Sequence, residues 1–308
     1  MSEFQLYKKR EFSDFIGDTL QFFKNYWKNY LQNYFLTNGI VLLAFAGVYY
    51  LTFKDMFANM SNPQGMQQWS QSLINNPAAM VGMMGIMFLL SIVLGVLSTA
   101  YPMVYLQLLA TEGDGEFSVS LIWKEIMNKA VRILLFGLIS AVVLFPAMMI
   151  VLVVGVALSL VIIGIPLLIL SLPAMMILSF QALYLFVVEN EGYFRSLKKA
   201  WKITFDKFWH LVGATVVLYF CISIFSSMFS VIPMFFAMGS VITSGGQHGI
   251  DPSFGGLMAI MYVLMIFFFF LLYNAIYIHQ WLIFYSSQEK EVNVQAFSDI
   301  DSIGRDEE

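Results

Sequence analysis

The sequence predicts an all-α integral membrane protein, with six membrane-spanning helices and three amphipathic helices lying at the interface on one side. Three observations lead there. The first is composition: of 308 residues, 59% are hydrophobic, 17% are aromatic and only 12% are charged, and mean hydropathy is +0.75. A soluble domain carries about 25% charged residues. The second is the distribution of those charges. From Ile133 to Val188 there are 56 consecutive residues without an Asp, Glu, Lys or Arg, and no water-facing surface can be built from such a run. The third is that the basic residues gather in segments that would all fall on one side of a bilayer.

A membrane helix needs roughly 20 mostly apolar residues. Spans are expected near 34–53, 81–109, 133–158, 162–188, 211–238 and 257–284. The neutral block would be roughly 84 Å long as one helix, against a hydrocarbon core of roughly 30 Å, so it must fold back once. Gly155, Gly164 and Pro166 place that turn at 157–166.

Orientation follows from Lys and Arg, which favour the cytoplasmic side of short loops. The N-terminal segment carries Lys8, Lys9, Arg10, Lys24 and Lys28, and the 110–132 segment carries Lys124, Lys129 and Arg132. The 189–210 segment carries Arg195, Lys198, Lys199, Lys202 and Lys207, and the tail carries Lys290 and Arg305. Of the sixteen basic residues, Lys54 alone falls opposite. Both termini are therefore expected in the cytoplasm. The opening MSEFQLYKKREF leads into an amphipathic stretch rather than a short apolar core with a cleavage site, so no removable signal peptide is expected.

Each pair of spans is preceded by a segment of helical amphipathic period. In the first, Phe12, Phe15, Phe23 and Trp27 share the apolar face, with Lys24 and Lys28 opposite. In the third, Phe194, Leu197, Trp201, Phe205 and Trp209 are the apolar positions, and Arg195, Lys198, Lys199, Lys202 and Lys207 are the basic ones. An offset of 182 residues pairs Phe12 with Phe194, Phe15 with Leu197, Phe23 with Phe205 and Trp27 with Trp209. The middle segment, FSVSLIWKEIMNKAVR, pairs Phe117 and Ser118 with Phe12 and Ser13 at an offset of 105, and otherwise keeps only the pattern. The expected organisation is one polytopic domain over 1–285, built from repeat units at about 11–109, 116–188 and 193–285. An acidic, disordered tail follows over 286–308.

The segment EGYFRSLKKAWKITFDKFWHLVGATVVLYF (191–220) resembles a signature of a broad bacterial family: a small loop, Ser-Leu, two basic residues, Ala-Trp, an aromatic-Trp pair, then a span. That family includes YciC-like proteins and the membrane domain fused to some glycerophosphodiester phosphodiesterases. The opening REFSDFIGDTLQFFKNYWK (10–28) is similar to the start of uncharacterised Bacteroidetes members. The resemblance implies six spans with surface helices, a place in the cytoplasmic (inner) membrane of a bacterium, and a partner class among membrane proteins associated with MoxR-type ATPases. It does not imply phosphodiesterase activity, because this chain has no soluble barrel and no cluster of acids with histidine.

Candidate chemistry is sparse. Glu11, Asp14 and Asp18 lie beside Ser13 at a helix start, where acids serve the helix dipole and Ser serves as a cap. The lone Cys221 cannot form an internal disulfide, and His210, His248 and His279 are far apart in sequence. No catalytic group, metal, cofactor or nucleic-acid partner is expected. Of the intramembrane polar residues, Gln107, Gln181 and Asn274 are the candidates to line a cavity. The expectation is a non-enzymatic scaffold or assembly component whose cytoplasmic face binds anionic lipid headgroups and partner proteins. The alternative is a small-molecule or lipid transporter, or lipid-organising protein, with a cavity between the repeats.

Overall fold

The computed structural model describes residues 4–59, 63–113, 115–160, 162, 164–243 and 252–303. Among these residues all regular structure is helical: α1 (Phe12–Asn59), α2 (Pro63–Asn75), α3 (Pro77–Glu112), α4 (Val119–Ser159), α5 (Gly164–Val187), α6 (Tyr193–Asp206), α7 (Phe208–Thr243) and α8 (Pro252–Ile303). Six of them, α1, α3, α4, α5, α7 and α8, are long and apolar enough to cross a membrane. These correspond to the six expected spans.

The surface segments differ from one another. The first is continuous with its span in α1, a helix of 48 residues, and the second runs on into α4, of 41 residues. No Gly or Pro separates the amphipathic part from the apolar part in either, so the backbone ladder continues from one environment into the other. Only the third surface segment is a helix of its own, α6, which ends at Lys207 with φ −126° and ψ 44°. In the tail, α8 continues to Ile303. Residues 304–308 and most of the glycine-rich segment before α8 (244–251) lie outside the described residues.

The chain divides into two compact units. The first comprises Met1–Leu31, Thr99–Tyr219 and Ala275–Glu308, and the second Gln32–Ser98 and Phe220–Asn274. The division follows charge. Fifteen of the sixteen basic residues belong to the first unit; the second contains only Lys54, Asp55 and Asp251 as charged residues.

In the first unit, α4, which ends at Ser159, and α5, which begins at Gly164, form the hairpin that the neutral block requires. Its closeness depends on two glycines. A Cβ at Gly164 would meet the Gly155 carbonyl and the Ser159 backbone nitrogen, and one at Gly155 would meet the tip of Leu168. The core contains an aromatic cluster: Tyr30 packs on Tyr101 at 5.0 Å and on Tyr105 at 4.9 Å, and Phe22 and Phe117 close it. The Tyr105 hydroxyl donates to the Gly115 carbonyl at 2.9 Å. Gly115 has φ +70°, and a Cβ there would meet the Tyr26 ring, so the connection before α4 needs glycine twice over. The second unit has its own apolar cluster around Phe57, Met258 and Ala259, with Phe57 stacked on Tyr262 at 4.6 Å.

Candidate functional site

The charged features of the first unit converge around α6. The turn from α5 into α6 bends at Asn190, whose φ of 55° is one that Asn tolerates better than most residues. Arg132 of α4 holds this turn by donating from Nε to the Phe186 carbonyl at 2.6 Å and from Nη2 to the Glu191 carbonyl at 3.2 Å. Its guanidinium also lies 4.6 Å from the centre of the Phe186 ring. Glu189 and Glu191 then reach forward to α6, where Lys199 pairs with both and Arg195 with Glu191. The hydrogen bond that Lys199 donates to Glu191, with the charge of both acids, raises the Lys199 pKa above its ordinary value.

α6 itself has two opposed faces. Tyr193, Ser196, Ala200 and Thr204 are buried against the unit, a mostly small-residue face that lets the helix approach closely. Phe194, Trp201, Phe205 and Trp209 are exposed. Trp201 stacks on Phe205 at 4.2 Å, and Phe205 on Phe208 at 5.4 Å, giving a continuous aromatic strip past the Lys207 break. Arg195, Lys198, Lys199 and Lys202 are also exposed. The strip and the lysines thus occupy the outward side together.

Beside α6 lies a groove of about 440 Å³. Lys9 from the N-terminal segment, Lys199 and Lys202 from α6, and Lys207 at the break give it four amines. Asp206 and Glu289 are its acids, and Ser286, Ser287 and Gln288 of α8 add neutral polar groups. Phe15, Leu185, Ile203, Leu211 and Ile283 supply apolar walls. Lys9 is carried there by Arg10, whose side chain is fully buried. Arg10 donates from Nε to Asp18 Oδ2 at 2.8 Å, from Nη1 to the Leu6 and Lys8 carbonyls, and from Nη2 to the Gln5 carbonyl. The Arg10 backbone N–H donates to Ser286 Oγ at 3.1 Å. Burial pulls the Arg10 pKa below its ordinary value, and the neighbouring carboxylate of Asp18 opposes that.

Several expected site residues are placed differently. Phe15, expected at the lipid interface, is buried at 1% exposure and packs edge-on to His279 at 5.9 Å. Aromatic character alone does not tell a lipid-facing ring from a core ring. Phe12 and Trp27 are exposed, Phe23 is half-buried, and so is Leu197. Phe12 does not face outward only, since its ring lies against α7 at Gly213. Lys24 and Lys28 are exposed, on α1, and do not line the groove. Asp14 caps by accepting from the Glu11 N–H at 3.1 Å, whereas Asp18 serves Arg10 and Ser13 lies inside α1.

The three candidate cavity residues are not brought together. Gln181 is buried in the first unit and donates to the Gln280 carbonyl at 3.0 Å. Gln107 is half-buried in the same unit. Asn274 belongs to the second unit and donates to the Phe270 carbonyl of its own helix. Neither the groove nor a smaller pocket at Ser226, Ser227 and Phe268 is lined by any of them. Among the described residues no three His, Cys, Asp or Glu side chains gather closely enough to hold a metal ion.

Lys199, Lys202 and Lys207 were identifiable from sequence because they share one amphipathic segment. Lys9, Ser286, Ser287 and Gln288 were not, because they arrive from chain segments far from α6 in sequence. No family model, curated protein or solved structure matches this chain.

Proposed function

We propose that this chain is a non-enzymatic scaffold or assembly component of a bacterial cytoplasmic membrane complex, with both termini inside. Its basic face engages anionic headgroups and partner proteins. The observation that carries this reading is the division of α6: small residues seat it on the unit, while Phe194, Trp201, Phe205 and Trp209 are exposed beside exposed basic residues. An apolar strip flanked by cations is the arrangement of a helix lying in a membrane interface. The YciC-like kinship and a MoxR-type ATPase partner are part of the same proposal.

The test is purification at native expression in a mild detergent, with mass spectrometry of every protein and lipid that accompanies the chain. Stoichiometric recovery of a membrane or ATPase partner supports the scaffold. Recovery of a lone chain with one enriched small molecule overturns it in favour of transport.

A further inference from the structure

We infer that the groove beside α6 binds the phosphate of an anionic amphiphile, a phospholipid headgroup with its glycerol end against the apolar wall. This deepens the proposed role of the basic face and rests on α6 lying at the interface. The volume of about 440 Å³ falls within the range of small-ligand sites. Its lining sets four lysines against two acids, Asp206 and Glu289, and so carries a net positive charge. Of the four lysines, Lys199 is committed to Glu189 and Glu191, but among the described residues Lys9, Lys202 and Lys207 have no acid within ion-pair distance. Three amines from two parts of the chain, the N-terminal segment and the end of α6, therefore face one space, each a compact cation suited to a phosphate oxygen.

Two further features select an amphiphile over a free anion. Phe15, Leu185, Leu211 and Ile283 line the same groove, and a free phosphate has no use for them. The Ser286 hydroxyl also lines it. It already accepts from the Arg10 N–H, so its own proton is available to an acceptor oxygen.

The experiment uses the full chain in an uncharged detergent, titrated separately with phosphatidylglycerol, phosphatidylcholine and inorganic phosphate, and read by native mass spectrometry. The groove variant is Lys9→Gln/Lys202→Gln/Lys207→Gln. The control, Lys24→Gln/Lys28→Gln/Lys124→Gln, removes the same charge elsewhere. The parent is expected to hold one phosphatidylglycerol in preference to phosphatidylcholine. Each groove substitution should weaken it about 5-fold, and the triple variant about 100-fold. The control should bind as the parent does. If the triple variant fails to fold, Lys202→Gln alone, at an exposed position, should still show the single-site loss of about 5-fold, and Lys202→Arg should restore most of it.

Unchanged binding in the groove variant, or equal loss in the control, overturns the assignment, the second because it would mean diffuse surface attraction. Inorganic phosphate binding as tightly as phosphatidylglycerol overturns the amphiphile in favour of a free phosphate site. Partner recovery is scored on the same samples, so the scaffold reading can fail while headgroup binding stands, and the reverse.

Discussion

Asp18→Asn is expected to release the N-terminal segment from the first unit. The Arg10 side chain is fully buried, and Asp18 is its contacting carboxylate, at 2.8 Å from Nε. Lys8 also reaches Asp18, at 3.5 Å, but its side chain is 41% exposed and contributes little. Neutralising Asp18 leaves a buried cation on three backbone carbonyls and an amide. Breaking a buried pair from one side costs about 3–5 kcal/mol. The lower end applies, because the Leu6, Lys8 and Gln5 carbonyls and the new amide oxygen still accept from the guanidinium. A cost of about 3 kcal/mol raises the population of the released segment about 100-fold. Trypsin cleavage after Lys8, Lys9 or Arg10 follows that population when reclosing is fast, so the cleavage rate should rise by the same factor. Headgroup binding should fall about 5-fold, since Lys9 leaves the groove with the segment. Arg10→Met/Asp18→Asn should cleave no faster than Arg10→Met alone, because the carboxylate has nothing left to neutralise. Cleavage of Asp18→Asn at the parent rate would refute the clamp. Effects that simply add in the double variant would refute the pairing.

Three other substitutions test separate parts of the first unit. Gly164→Ala places a methyl group on the Gly155 carbonyl and the Ser159 nitrogen, both rigid backbone, and should lower unfolding stability in detergent by about 1–3 kcal/mol. Gly155→Ala meets only the movable tip of Leu168 and should cost less; equal effects would sink the argument. The Gln280 side chain is buried, and among the described residues neither its Nε2 nor its Oε1 has a partner, so Gln280→Leu should leave thermal stability unchanged or raise it. A clear loss would mean that the amide is bonded to a water or a partner chain. Lys199→Gln should weaken α6 attachment by under about 1 kcal/mol, because the lysine is 47% exposed. The Lys199 pKa is raised above 10.5 by Glu191 and Glu189, so its contribution is full below about pH 10.5 and is lost as pH rises through the higher folded value. Thermal unfolding of parent and variant should therefore differ at pH 8 and draw together as pH rises past 10.5, and a gap that stays constant would contradict the pairing.

The spans could be read from the sequence because a bilayer imposes a demand that composition must meet: the neutral stretches had to be helices, and 157–166 had to contain the turn. The burial of individual rings could not be read in the same way. Phe15 and Phe12 have the same chemistry and lie on the same amphipathic stretch, yet one is a core ring beside His279 and the other is 39% exposed. Hydrophobic period identifies a face that avoids water, and both lipid and protein satisfy that demand. The Arg10–Asp18 clamp was hidden for another reason. Arg10 lies before α1 and Asp18 two turns into it, so no helical spacing relates them.

The sharpest limit is the pair of segments that align at an offset of 182. Phe23, Tyr26 and Trp27 match Phe205, Phe208 and Trp209, but α1 runs straight through the first set and the chain breaks at Lys207 within the second. The residues that differ at the break are Lys24 and Asn25 in one, Asp206 and Lys207 in the other. An acid at the last position of α6 opposes the negative end of the helix, whereas the lysine in α1 is mid-helix and indifferent to it. That effect is worth only about 0.3–1 kcal/mol, so the break must also draw on packing. The buried Ser196–Ala200–Thr204 face holds α6 against the first unit, and a straight continuation would carry the helix off along the axis of α7. The break is therefore what keeps Lys199, Lys202 and Lys207 on one groove. The aromatic and basic pattern that the two segments share places residues on faces, but the direction of each face is decided by whether the backbone turns.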